Sequence, residues 1–317
     1  MIVSCVIMKN STKKNSGIRN TGPKTQGSKP GTLYVVSTPI GNLEDITLRA
    51  LKVLKGVDII AAENVAHTRK LCKHHGIKTK LVSYNQHNQK VKTPELIKML
   101  RSGSDSAIVT DAGTPGISDP GAYLINRAHS EGVIVTPIPG PSAVIAALSV
   151  SGMPTEKFVF LGFLPNRSGK RKKYLKGLIS EKRTMVFFEA PHRIKSMLAD
   201  LKEIMGDRQM VCIREMTKVF EETKRAPISV ISAELNRNRP RGEYTLVLEG
   251  SREDENTTLP EGVSNRIEKL LQENRLSTKD IAGLVARDEG LAYRQIYKEC
   301  LARKNALERF EIDGSGQ

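Results

Sequence analysis

The residues that could do chemistry gather in three loops rich in glycine and proline. The longest is Asp111-Ala112-Gly113-Thr114-Pro115-Gly116-Ile117-Ser118-Asp119-Pro120-Gly121, which follows the apolar run Ile108-Val109-Thr110 and leads into a helix opening at about Gly121. The second, Pro39-Ile40-Gly41-Asn42, follows Leu33–Ser37, and the third, Pro139-Gly140-Pro141-Ser142, follows Val133–Val135. Glycine lets backbone approach a ligand closely, and proline fixes the shape of a loop. Open α/β sheets bind ligands at the carboxyl ends of their strands, so the three loops converge on one crevice if their strands are neighbours. A crevice of this kind offers backbone groups rather than charged side chains. It suits a ligand with an adenosine and a charged amino-acid end better than a triphosphate, which would want Lys, Arg and a metal. The same composition also serves a tight strand-to-helix connection with no ligand.

Other chemistries lack their signatures. No Gly-x-Gly-x-x-Gly follows a strand and no Gly-x-x-x-x-Gly-Lys-Ser/Thr is present, which excludes the usual dinucleotide and P-loop sites. His67, Cys72, His74 and His75 match no common zinc spacing, so no metal is expected. A Gly-x-Ser-x-Gly elbow is missing as well. Glu63, Glu189 and Glu215 stand at strand ends and are candidate bases, though no partner spacing singles one out.

The elements that must position these loops alternate between strand and helix. Leu33–Ser37, Val57–Ala62, Leu81–Tyr84, Ala107–Thr110 and Val133–Val135 read as short buried strands separated by amphipathic helices, the pattern of a mostly parallel α/β sheet. One of those helices is expected to begin at Pro94, since proline suits a first helical turn. Met153-Pro154-Thr155 marks a boundary. Beyond it Phe158–Leu164, Thr184–Glu189, Met210–Arg214 and Tyr244–Glu249 predict a second α/β domain with a mixed sheet. The expected organisation is a disordered basic tail over 1–30, an α/β domain over 31–152, a second over 153–250, a linker over 251–260 and a small helix-turn-helix-like unit over 261–311. In that last unit a helix opens at Ser277, with Asp280 three residues on as a capping-box variant.

Fifty Lys and Arg against 34 Asp and Glu leave the 317-residue chain at +16. That excess points to an acidic polymer such as RNA or DNA as partner, with a membrane surface second. Aromatic residues make up only 4% and Trp is absent, which argues against a surface built on base stacking. The basic tail, the segment Arg167–Lys176 and Arg237, Arg239 and Arg241 could supply sequence-independent phosphate contacts. Cys5, Cys72, Cys212 and Cys300 form no Cys-x-x-Cys pair, a pattern that suits a reducing cytoplasm. No apolar run is long enough for a membrane span, and Ile2–Met8 lacks the basic start of a signal peptide.

Seven segments in order carry a resemblance. They are Thr38–Thr47, Asp111–Pro115 with Ser118–Gly121, Pro139–Ala143, Gly162–Pro165, Phe188–Arg193, Arg214–Lys218 and Gly242–Tyr244. In these the chain resembles the tetrapyrrole-methylase superfamily of S-adenosylmethionine-dependent enzymes and, within it, the ribosomal RNA small-subunit methyltransferase I family. The likeness covers about Gly31 to Gly250 and, more loosely, the helical tail. It implies an α/β fold of two domains with S-adenosyl-L-methionine in the cleft between them. It also implies 2′-O-methylation of a cytidine ribose in small-subunit (16S) ribosomal RNA by a cytoplasmic homodimer. Carried over by position, Pro39, Gly41, Asp111, Ala112, Gly113, Thr114, Pro115, Ser118, Pro139, Gly140, Ser142 and Ala143 line the cofactor site from the first domain. Leu164, Met185, Ala226, Pro227 and Thr245 line it from the second. His192, Arg193, Arg214 and Lys218 are substrate-side residues on this reading and a salt-bridge network on the other.

The same fold also serves tetrapyrrole methylation, but the positive charge and the helical appendage favour RNA. A non-catalytic RNA-binding relative is the third reading. It is prompted by one departure: where the family has Ala-Ala-Glu-Asp-Thr-Arg-His-Thr, this chain has Ala61-Ala62-Glu63-Asn64-Val65-Ala66-His67-Thr68. An acid, a hydroxyl and an arginine are lost together there. The downstream loops are intact, so cofactor binding should survive.

Overall fold

The computed structural model describes residues 29–237, 239–251, 259–273, 275–291, 296–297 and 299–304. The basic tail, but for its last two residues, and most of the expected linker lie outside them. The described residues up to Ser251 form one compact unit and those beyond it a second.

The first unit holds two five-stranded sheets. In the first sheet β1 (Thr32–Val36), β2 (Ile59–Ala62), β3 (Lys80–Ser83), β4 (Ser106–Val109) and β5 (Ile134–Ile138) all run parallel, in the order β3-β2-β4-β1-β5. Every residue of β2 and β4 is buried, which is why Ile59–Ala62 and Ala107–Val109 read as apolar runs. Successive side chains point to opposite faces. Val36, Ile60, Ala62, Ala107 and Val109 meet α1 (Leu48–Gly56) and α2 (Val65–His74), while Leu33, Val35, Ile59, Ala61 and Ile108 meet α3 (Gln89–Arg101) and α4 (Ala122–Ser130). Side-chain caps start two of these helices: Thr47 Oγ1 accepts the Ala50 N–H at 3.1 Å, and Asn64 Oδ1 accepts those of Ala66 and His67 at 3.0 and 3.2 Å. The Asn64 that departs from the family pattern therefore keeps a helix cap.

α3 begins at Gln89, five residues before the expected Pro94, which sits inside the helix. The reason is a local turn: Asn85 Oδ1 accepts the N–H groups of His87 and Asn88, while Asn88 Oδ1 accepts that of Asn85. This bends the chain into the helix early.

The second sheet is mixed, in the order β6 (Phe158–Phe163), β7 (Thr184–Glu189), β10 (Tyr244–Leu248), β8 (Gln209–Arg214) and β9 (Glu222–Pro227), with only β6 and β7 parallel. The polar strand β9 carries no apolar pattern to read. It forms the sheet edge, where charged side chains discourage pairing with another chain. One face of this sheet is covered by α6 (Ser168–Lys176), α7 (Ile194–Met205) and α8 (Ile228–Arg237) around Met185, Phe187, Met210 and Leu246. The other face receives α5 (Ala143–Ser151), whose Val144, Ala147 and Leu148 meet Val186, Val211, Ile213 and Val247. α5 thus follows the first sheet in sequence and buries its apolar side on the second.

The basic segment is helix α6, and one of its cations turns inward. Arg171 is 1% exposed. Its guanidinium bonds Asp200 at 2.6 and 2.8 Å and the carbonyls of Pro165 and Asn166. This residue is therefore a structural pair between α6 and α7 and is closed to phosphate, whereas Arg167, Lys170, Lys173 and Lys176 are exposed.

The second unit contains α9 (Glu261–Gln272) and α10 (Thr278–Glu289), joined by a core of Val263, Ile267, Ile281, Val285 and Ile296. Ser277 caps α10 by accepting the Asp280 N–H at 3.2 Å and donates to the Asp280 carboxylate at 2.6 Å. Among the described residues no helix is long and apolar enough to cross a membrane.

Candidate active site

β4, β1 and β5 are adjacent, so the loops that follow them meet at one edge of the first sheet. Thr38 and Gly113 exchange backbone hydrogen bonds at 2.9 and 3.0 Å. Thr38 Oγ1 donates to the Thr110 carbonyl at 3.0 Å, and the hydroxyls of Ser37 and Thr114 lie 2.8 Å apart. The Thr47 hydroxyl reaches the Pro139 carbonyl at 3.5 Å. Gly113 adopts φ +75°, a conformation disfavoured for any residue with a Cβ. A Cβ there would meet only Ile40 Cγ2, at 3.8 Å, because the position opens onto a cavity.

That cavity has a volume of about 440 Å³. Ile40, Ala112, Gly113, Thr114, Ile117, Ser118, Asp119, Ser142, Ala143 and Val144 line it from the first half of the unit. Phe163, Phe188, Glu189, Ala190, Pro191, Met216, Glu243, Tyr244 and Thr245 line it from the second. Where the halves touch, Gly41 has no room for a side chain: a Cβ would stand 2.6 Å from both Thr217 Oγ1 and Lys218 Cγ. The neighbouring Asn42 N–H donates to Thr217 Oγ1 at 3.1 Å. The second-half loop is itself strained, with Glu215 at φ +52° and Thr217 at φ +64°. It is pinned by Lys218 Nζ, which donates to Glu215 Oε1 at 2.9 Å and to Glu243 Oε2 at 3.0 Å.

Of the residues expected to bind cofactor, Ala112, Gly113, Thr114, Ser118, Ser142, Ala143 and Thr245 line the cavity. Pro39, Gly41, Asp111, Pro115, Pro139 and Gly140 belong to the same three loops but are not among the residues that line it. Leu164, Met185 and Ala226 pack instead in the core on the helix-covered face of the second sheet, and Pro227 ends the edge strand β9. Strand pleating decides this. Met185 and Phe187 turn toward that core, whereas Phe188 points the other way, to the cavity. Ile40, Ile117, Asp119, Phe163, Met216 and Glu243 were not singled out from sequence. Their signal was adjacency, for each lies in or beside one of the recurring segments.

The candidate bases separate clearly. Glu189 is 2% exposed and lines the cavity; its Oε1 accepts the Ala190 N–H at 2.8 Å and faces Arg193 at 3.1 Å, while its Oε2 is buried without a partner. Burial pushes its carboxyl above the usual range. Glu63 is not among the lining residues and accepts the Asp111 N–H at 3.2 Å. Glu215 is held below the usual carboxylate range, chiefly by the hydrogen bond from Lys218. Among the expected substrate-side residues, Arg193 bonds the Leu164 carbonyl at 2.6 Å, Arg214 pairs with Glu222, and Lys218 pairs with Glu215 and Glu243. His192 is exposed. Arg214 also lines a second, smaller cavity of about 220 Å³ with Lys224, Arg239 and Arg241.

The wall of the larger cavity suits S-adenosylmethionine. Among the described residues it contains no Lys, Arg or His. Its apolar surfaces, Ile40, Ile117, Phe163 and Phe188, can cover an adenine, and three carboxylates favour a ligand whose sulfonium and ammonium are positive. Residues 32–231 match the family model for Tetrapyrrole (Corrin/Porphyrin) Methylases. A curated relative from Xylella fastidiosa, ribosomal RNA small subunit methyltransferase I, is 41% identical over 273 residues, 85% of this chain and 99% of its own length. Its namesake from Bacillus subtilis is 46% identical over 228 residues, 72% of this chain and 78% of its own. Among solved structures, the methyltransferase CobJ superposes with a TM-score of 0.55 at 16% identity, over 70% of this chain and 96% of that one. Uroporphyrin-III C-methyl transferase from Thermus thermophilus, complexed with S-adenosyl homocysteine, does so with 0.52 at 19%, over 69% of this chain and 97% of that one. The structural likenesses are ones of fold. The sequence likeness spans nearly the whole of a relative, and by it this chain belongs to the ribosomal RNA small subunit methyltransferase I family of the tetrapyrrole methylases.

Proposed function

We propose that this protein transfers the methyl group of S-adenosylmethionine to the ribose 2′-hydroxyl of a cytidine in small-subunit (16S) ribosomal RNA, acting in the cytoplasm as a homodimer. The observation that carries the reading is the cavity at the three-loop edge, with its unobstructed glycine and a wall that, among the described residues, has no basic group. Gly113 and its neighbours offer backbone to the amino-acid end of the donor, and the apolar residues take the adenine. When bound, the donor supplies a methyl already activated by its sulfonium, so the protein's task is to hold the ribose oxygen in line with it and to exclude water. Ser142, Thr114 and Thr245 orient the ligand by their hydroxyls. Arg193 and Lys218 act by fixing Glu189, Glu215 and Glu243. The exposed Arg167, Lys170, Lys173, Lys176, Arg237, Arg239 and Arg241 neutralise RNA phosphates.

The test is to incubate the protein with labelled donor and small ribosomal subunits that lack the modification, then to map the labelled nucleotide. Label on one cytidine ribose supports the reading. Salt-insensitive methylation of a porphyrinoid, with none of RNA, would replace it by the tetrapyrrole chemistry of the same fold.

A further inference from the structure

Three carboxyl groups reach the cavity wall, and two of them are tied. Glu189 holds the Ala190 N–H and faces Arg193, and Glu243 receives Lys218. Asp119 has neither a hydrogen bond nor an ion pair among the described residues. Its backbone is nonetheless well fixed. Ser118 before it sits at φ +65°, Pro120 follows it, and the Pro120 carbonyl accepts the Gly116 N–H at 3.3 Å. The negative charges of Glu63, from the end of β2, and Asp111, from its own loop, act on it, and Glu63 accepts the Asp111 N–H at 3.2 Å. Across the cavity stand Glu189 and Glu243, whose cations Arg193 and Lys218 are not among the wall residues.

We propose that Asp119, the wall carboxylate without a partner among the described residues, is the general base of the transfer, with Glu63 and Asp111 as positioning residues. This rests on the 2′-O-methylation reading above. The ribose O–H bond breaks and its proton passes to the Asp119 carboxylate. The oxygen bonds to the methyl carbon as the carbon–sulfur bond breaks, and the electron pair stays on sulfur, which becomes a neutral thioether. Asp119 then releases its proton to water. Burial and these two like charges raise the Asp119 carboxyl to about 6. It is thus ionised at neutral pH yet more basic than an ordinary carboxylate, which favours proton abstraction.

Single-turnover methylation of unmodified small subunits, at saturating donor, tests this. Asp119→Asn should slow transfer by roughly 10²- to 10⁴-fold, with donor affinity by calorimetry changed less than about threefold, and Asp119→Glu should recover part of the rate. The wild-type rate should fall about tenfold per pH unit on the acid side of the Asp119 titration in the donor complex, and Asp119→Asn should lose that limb. Glu63→Gln removes one of the charges acting on Asp119 and keeps an acceptor for the Asp111 N–H, so it should move the limb to lower pH. An Asp119→Asn rate within threefold of wild type, a rate loss matched by lost donor binding, or a limb unmoved by Glu63→Gln overturns the assignment and leaves the substrate reading standing. Wild-type protein that binds donor but labels no RNA overturns the substrate reading, and this inference with it.

Discussion

The first sheet reaches the cavity with loops, because its strands β4, β1 and β5 are parallel neighbours and their carboxyl ends share one edge. The second sheet reaches it from antiparallel neighbours, where the end of β7 lies beside the start of β10 and Glu189 pairs in register with Tyr244. The parallel side presents backbone, held in shape by glycine, proline and short hydroxyl contacts. The antiparallel side presents side chains, held by ion pairs: Arg193 on Glu189, Lys218 on Glu215 and Glu243, and deeper still Arg171 on Asp200. Direction of pairing thus decides how each wall is held: by loop backbone on the parallel side and by ion pairs on the antiparallel side. The first wall depends on a backbone conformation at Gly113 that a side chain disfavours, and the second depends on its counter-ions.

The sharpest way to break this contrast is to remove a counter-ion from the second half. Arg171→Ala leaves Asp200 buried without its strongest partner and should cost about 3–5 kcal/mol in urea unfolding, whereas Arg171→Met with Asp200→Leu should cost much less. Equal losses would mean that the stability lies in the pair and its hydrogen bonds to the Pro165 and Asn166 carbonyls, lost in both variants, rather than in the cost of stranding Asp200. Next is the first half. Gly113→Val forces a branched side chain into φ +75° and into the cavity, and donor affinity should fall at least about 100-fold, near 2.7 kcal/mol. RNA affinity should stay within about threefold, and equal loss of both would refute the division between the cofactor cavity and the RNA surface.

A smaller effect has the opposite sign. The folded-state carboxyl of Asp119 is raised to about 6, so the folded protein binds that proton more tightly than the unfolded chain does. The charged form therefore destabilises the fold above pH 6, and the penalty fades as pH falls toward 4. Asp119→Asn should melt about 2–4 °C above wild type at pH 8, the shift expected for roughly 1 kcal/mol in a chain of this size. The gap should close by pH 4; a gap that persists there has another cause. Smallest is Thr47→Ala, which removes the α1 cap that also touches Pro139. It should cost about 0.5–1 kcal/mol and leave methyl transfer unchanged, and a larger effect on activity would show that the third loop depends on this hydroxyl.

Much of the first half was legible because local composition carries it. Buried parallel strands are apolar throughout, and their loops need glycine and proline in place, so Asp111–Gly121 announced itself. Pro94 misled because its preference for a first helical turn was weaker than the asparagine turn before it. In the second half β9 was unreadable, since an exposed edge strand has no apolar pattern, and Arg171 looked like one more RNA-facing cation in a basic run.

By itself the sequence determined the α/β class, the three glycine- and proline-rich loops, the family and the cap at Ser277, each of which is carried by short local segments. Only the tertiary structure decided which loop residues face the cavity, that Phe188 rather than Met185 reaches it, that Arg171 is internal, and that Asp119 alone among the wall carboxylates is unpaired among the described residues. Those outcomes depend on pleat phase, on strand adjacency and on charges brought together from positions as far apart as Glu63 and Glu243. No local spacing encodes such distances, because they come into being only when the loops of the first sheet and the strand ends of the second meet around one cavity.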